Sequence, residues 1–429
     1  MSARLKSSTW LKGNLRLSGR EQSPFRAAAE RSMEHGNYTE AEFQLHKAIA
    51  EADSYGQTAP RVVLRIDLSD VQRLCAGQEG GRPDRRQLSR ALATAREAIE
   101  LAAESSDAPL YVLGLDALAE VLVDLEDFAG LAQISEGAIQ VAEPLPDSDP
   151  ALMATRMLRV ALGKAHTGAQ EESTQRLVKA IEMQVTSRGE DSTETGNFLI
   201  QAAKVYRVQG EYETAEEVVR DAIRIHRDES GPESQAVMEG LIELAQILFA
   251  AGDIHGAGGQ FEKAFALKQM LTARASEPAL EKVAYELVDM QYELAALQIR
   301  CGNVSRAGEL LTAGLATIQQ YRGVKWLKRL AQSHETLASI EESCGRFDMA
   351  VDELLRAAAA WERAGDAHLE DLINVLEYCA VLQNKLLRSR DAARSRERSA
   401  QAAELLKKLQ SGGESAKPAP AAQPAAERA

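Results

Sequence analysis

Aromatic residues make up only 5% of this 429-residue chain, and cysteines number four. No apolar run approaches the roughly 18 residues that a membrane-spanning helix needs, so membrane insertion is not expected. Cys75, Cys301, Cys344 and Cys379 form no CxxC pair and are far too sparse for a disulfide scaffold. That usage fits a reducing compartment. Cys301 and Cys344 stand just before successive turn glycines, which reads as a packing position for a small residue. The N-terminus, MSARLKSSTWLKGNLRLSGREQ, alternates its leucines with polar and charged residues. It lacks the apolar centre of a signal peptide, so the expected location is the cytoplasm. The seven histidines show no metal-ligand spacing and no HExxH, and neither GxxxxGK[ST] nor GxSxG occurs. GAGGQF (256–261) has no strand before it and does not read as a phosphate loop. These absences point away from an enzyme, a metal centre and a bound cofactor.

What the chain has is a glycine that returns in matching surroundings. The segments are HGNYTEAE at Gly36, HTGAQEES at Gly168, QGEYETAEEVVRDAI at Gly210, AGDIHGAGGQFEKAF at Gly252, CGNVSRAGELLTAGL at Gly302 and CGRFDMAVDELLRAA at Gly345. The intervals are 132, 42, 42, 50 and 43 residues. The first is about three periods long, so two further units with weaker glycine signals are expected inside it. Repetition at such a period marks a stack of one supersecondary unit.

Residues 193–229 show the unit. Phe198, Ala202, Val205 and Tyr206 precede Gly210, and Tyr212, Ala215, Val219, Ala222 and Ile223 follow it. Both sets have the three-and-four spacing of an amphipathic helix. Glycine ends the first helix because it enters the left-handed region without penalty. The result is an antiparallel helical hairpin. Small residues recur in pairs where the two helices should cross closely: Ala203 with Ala215, Ala245 with Ala257, Ala295 with Ala307, and Ala338 with Ala350.

This pattern resembles the tetratricopeptide repeat superfamily. The resemblance rests on Ala203, Gly210, Tyr212, Ala215 and Val219 in one unit. In the next it rests on Ala245, Gly252, Ile254, Ala257 and Phe261. The period of about 42 is similar to that of the kinesin-light-chain-like branch. That branch carries paired asparagines on its first helix, and here Ile242 and Glu243 stand there. The residues of a carboxylate clamp for acidic C-terminal tails are not recognisable either. The resemblance implies an all-α, right-handed superhelical solenoid of about nine antiparallel helix pairs. These are expected near 22–53, 58–105, 108–143, 150–188, 193–229, 233–274, 278–320, 326–364 and 367–410, as one uninterrupted array. Residues 1–21 form a basic segment before it, and 411–429 read as a disordered Ala/Pro tail.

Charge is uneven. The total is −14, with +5 on residues 1–20, +5 on 385–408 and none on 409–429, which leaves −24 on 21–384. Such a body repels nucleic acid and attracts basic partners. The resemblance implies that first helices line a concave face, and several acids fall on them. Asp116, Glu120 and Asp124 share one helix face, followed by Glu239 with Glu243 and Asp289 with Glu293. Asn197, Gln201, Lys204 and Arg300 complete the candidate groove. Like charges four apart are mildly destabilising, so the stripe is either solvated surface or an attractant for a cationic segment. The expected function is a non-catalytic scaffold that binds a protein or peptide with a basic segment. A regulatory sensor whose curvature changes with a small ligand stays open as an alternative. So does self-assembly through the basic final helix.

Overall fold

The computed structural model describes residues 23–77, 84–146, 148–274 and 280–414. Eighteen α-helices and one short 3-10 turn make up the regular structure, with no strand among the described residues. Consecutive helices pair as α1 (Pro24–Glu34) with α2 (Tyr38–Tyr55), and α3 (Thr58–Ala76) with α4 (Arg85–Glu104). Next come α5 (Ala108–Asp124) with α6 (Phe128–Ala142), α7 (Pro150–His166) with α8 (Gln170–Arg188), and α9 (Thr193–Gln209) with α10 (Tyr212–Ser230). The series continues with α11 (Gln235–Ala250) and α12 (Ile254–Ala273), then α13 (Leu280–Arg300) and α14 (Val304–Ile318). It ends with α15 (Val324–Ser343) and α16 (Phe347–Ala364), and α17 (Leu369–Lys385) with α18 (Ser389–Glu414). The described residues form an all-α repeat of helical hairpins.

The chain packs as two compact units, divided between Leu287 and Val288 inside α13. Residues 411–414, expected in the tail, are the last turn of α18. The basic segment 1–21 and the rest of the tail lie outside the described residues.

Local chemistry sets the helix ends. Ser23, Asn37, Asp84, Asp107, Asp127, Asp149, Ser192, Ser234 and Asp253 are N-caps whose side chains accept from an amide one turn in. At the hairpin turn, Gly210 has φ 81°. Its amide reaches Arg207 O at 3.1 Å and the Glu211 amide reaches Tyr206 O at 3.0 Å, which closes a Schellman motif. The two turns hidden in the long glycine interval have separate causes. Between α5 and α6 the left-handed position is held by Glu126 at φ 60°. Between α3 and α4 the hairpin carries the insertion GQEGGRPDRR, of which residues 78–83 lie outside the described set. Leu387 takes the same conformation between α17 and α18, again at φ 60°.

The predicted alanine pairs are all in the core: Ala203, Ala215, Ala245, Ala257, Ala295, Ala307, Ala338 and Ala350 are buried. Within the first unit, α2, α4, α6, α8 and α10 each pack on the first helix of the next pair. First helices also touch one another, α3 on α5, α7 on α9 and α9 on α11. Their layer is the closely spaced side of the stack. Close approach requires glycine at Gly240, where a Cβ would stand 2.6 Å from Ile223 Cγ1 of α10. The cysteine expectation fails: Cys301 is half-buried and Cys344 exposed, because both cap the helix end rather than face its partner.

Candidate functional site

The first-helix layer carries the candidate residues, and most of its acids already have partners. In α5, Asp116 accepts from Arg156 Nη2 of α7 at 2.7 Å and from Arg159 Nη1 at 3.0 Å. Glu120 accepts from Arg159, and Asp124 accepts from Arg73 of α3 at 3.2 Å. Asp70 stands 3.7 Å from the same Arg73. Three arginines thus interlock with four acids across α3, α5 and α7. Their burial is nearly complete, with Arg73 at 5%, Arg156 at 4% and Arg159 at 8% exposure. Burial raises the Asp70 carboxyl to about 6, against the pull of Arg73. On α3, Asp67 is raised to about 7 by burial, although Arg26 of α1 lies 2.9 Å away.

A second cluster spans α9 and α11. Arg207 Nε donates to Glu243 Oε1 at 2.8 Å, and Glu243 is 1% exposed with Oε2 lacking a hydrogen-bond partner. Lys204 Nζ donates to Gln201 Oε1 at 2.9 Å. Burial lowers the Lys204 amine, and the Glu243 charge opposes that shift. Glu239 accepts from Gln235 at 2.8 Å and is half-buried, and Asn197 is exposed.

In the second unit, Asp289 accepts from Arg329 of α15, whose guanidinium lies 4.5 Å from the Tyr292 ring centroid. Thr336 reaches Tyr292 Oη at 3.4 Å. Glu293 is half-buried, and desolvation raises its carboxyl to about 7. Arg300 is exposed at the end of α13.

The acidic stripe therefore differs from the sequence expectation. Asp116, Glu120, Asp124, Glu243 and Asp289 are internal struts between neighbouring repeats, not free charges on a surface. The arginines that neutralise them were missed because each comes from another repeat. The signal was present in the spacing: Arg207 and Glu243 are 36 residues apart, Arg156 and Asp116 are 40, and Arg73 and Asp124 are 51. Asn197, Gln201, Lys204 and Glu239 keep contact with solvent on neighbouring first helices. Among the described residues, no group of three or more His, Cys, Asp or Glu side chains could hold a metal ion. No helix among them is long and apolar enough to cross a membrane.

No family profile matches the chain, and no curated protein matches it in sequence. Several solved structures are similar in shape. One is a putative kinesin light chain with nearly identical TPR-like repeats from Podosopora anserina. It is 20% identical with TM-score 0.40, over 49% of this chain and 95% of that one. A Rap protein complexed with competence and sporulation factor is 14% identical with TM-score 0.45, over 90% of this chain and 98% of that one. A human IFIT1 dimer with m7Gppp-AAAA is 15% identical with TM-score 0.47, over 90% and 82%. Likeness this loose carries no functional argument.

Proposed function

We propose that the chain is a non-catalytic scaffold that holds an extended segment or helix of a partner protein along the first-helix face. The observation that carries this reading is the α9–α11 surface. There Asn197, Gln201, Lys204 and Glu239 stand solvent-accessible on adjacent helices, over a backing fixed by the Arg207–Glu243 pair. A face braced in this way is preorganised, so a visitor loses little free energy to reordering the protein. The acids that would have made a strongly cationophilic groove are spent on arginines. The partner segment is therefore read as mixed polar, with one carboxylate to meet Lys204, rather than as uniformly basic.

The test is co-purification with wild type and with an Asn197→Glu, Lys204→Glu variant, followed by mass spectrometry. A partner recovered with wild type and lost with the variant, at unchanged melting temperature, supports the reading. Equal recovery with both removes it.

A further inference from the structure

Of the seven histidines, His226 alone is buried, at 1% exposure in α10. The partly covered ones meet carboxylates: His334 Nδ1 lies 2.5 Å from Glu353, and His368 Nδ1 lies 3.3 Å from Asp371. Neither ring nitrogen of His226 has a hydrogen-bond partner among the described residues. Buried polar atoms left in this state are uncommon and costly.

The ring is wedged between helices. A Cβ at Gly196 of α9 would stand 2.8 Å from its Nε2 and 2.9 Å from its Cε1, so only glycine lets α9 pass this close. The α9 side brings no charge to the ring, and Glu194 near that glycine is exposed. From α11 the Glu239 carboxylate acts on the ring and favours its protonated form, as does the Gly196 backbone. The neighbouring charges of α10 itself, Arg224, Arg227, Asp228 and Glu229, are exposed. Burial outweighs these attractions and holds the imidazole below its ordinary value.

Protonation changes what this joint has to hold. A neutral imidazole has one N–H, whereas an imidazolium has two and a full charge. In the closed joint that charge has neither water nor a bonded acceptor, and in an open joint it has water. A proton therefore binds the open form in preference to the closed one. The two flanks of the wedge belong to the first-helix face: Gly196 precedes Asn197 on α9, and Glu239 is part of that face on α11.

We propose that His226 is a proton-sensitive wedge: protonation of its ring opens the α9–α10 joint and displaces Asn197 relative to Glu239, so that acid releases a segment held on the first-helix face. The release rests on the first-helix reading, whereas the opening needs no partner.

The experiment is native-state hydrogen exchange of the full chain, read by mass spectrometry at pH 7.5 and pH 5.0 and corrected for the intrinsic rate at each. If the ring takes a proton only in the open joint, with its ordinary value of 6.5 there, opening rises about thirtyfold at pH 5.0. Amides of α9 and α10 around Gly196 and His226 should lose at least about tenfold in protection. His226→Phe keeps a ring that cannot take a proton and should hold its protection at pH 5.0. His226→Leu replaces it if circular dichroism shows that the Phe variant unfolds. Amides of α5 report any general effect of acid, which both proteins should share. Equal protection of the wild type at both pH values, or the same loss in the non-titrating variant, overturns the proposal and leaves the first-helix reading standing. Co-purification at the two pH values then checks the release. Equal recovery of a partner at both overturns it, and recovery of none at either removes the first-helix reading while the opening stands.

Discussion

Two layers of the same stack use the same device with different consequences. In the first-helix layer, Arg159 bridges Asp116 and Glu120 across about one repeat; Arg159 and Glu120 are 9% and 8% exposed and Asp116 is 21% exposed. In the second-helix layer, Arg176 meets Glu136 at 2.6 Å, again 40 residues apart, with each side chain about a third exposed. Sequence spacing does not separate the two cases. Solvent does. An exposed pair contributes little because water and salt screen it and two long side chains lose freedom to make it. A buried pair need not add net stability either, since desolvation opposes the attraction, but removal of one member strands the other.

That contrast can be broken most severely at Arg159. Arg159→Ala should leave Glu120 and Asp116 underpaired and cost about 3–5 kcal/mol, read as a lower denaturation midpoint in urea. The same experiment sharpens on the double variant Arg159→Met, Glu120→Met. It removes both charges from a buried site and should recover most of the loss, to within about 1–2 kcal/mol of wild type. A double variant as unstable as the single one would show that the network, rather than the unpaired charge, sets the cost.

Burial that outweighs any nearby cation is the next case. Glu293, Asp67 and Asp70 all have raised carboxyl pKa values in the folded state, to about 7, about 7 and about 6. A raised folded pKa gives stability that is present below the unfolded value near 4 and is lost as pH rises through the folded value. These three groups should therefore make the fold less stable at pH 8 than at pH 5. Glu293→Gln should raise the melting temperature at pH 8 by the equivalent of about 1–2 kcal/mol and change it little at pH 4. A shift of equal size at both pH values would mean that the carboxyl is solvated. The smallest effect is expected at the outer layer. Arg176→Ala should cost under about 1 kcal/mol, and the cost should fade in 0.5 M salt.

The fold was legible because its signals are local. The glycine turns, the alanine pairs at Ala203 with Ala215 and Ala245 with Ala257, and the three-and-four spacing each lie within one hairpin. The turns at Glu126 and Leu387 were harder to read, since residues other than glycine hold the left-handed position there. The candidate site was legible only in part. Asp116, Glu120 and Asp124 were placed on one helix face, but their cations come from α3 and α7, and no local pattern joins them. The division of packing at Leu287 is a property of tertiary contacts, and in the sequence it coincides only with the longer 50-residue interval from Gly252 to Gly302. Within GAGGQF, a Cβ at Gly259 would meet nothing within 4 Å.

The struts between repeats bear on how such a chain can change. Because Asp116 answers to Arg156, Asp124 to Arg73 and Glu243 to Arg207, no hairpin is a free-standing brick. Excision or duplication of a single one would slide each acid past its counterpart and bury it against a stranger. Length variants of this protein should therefore arise at the ends of the stack, where fewest such ties are severed.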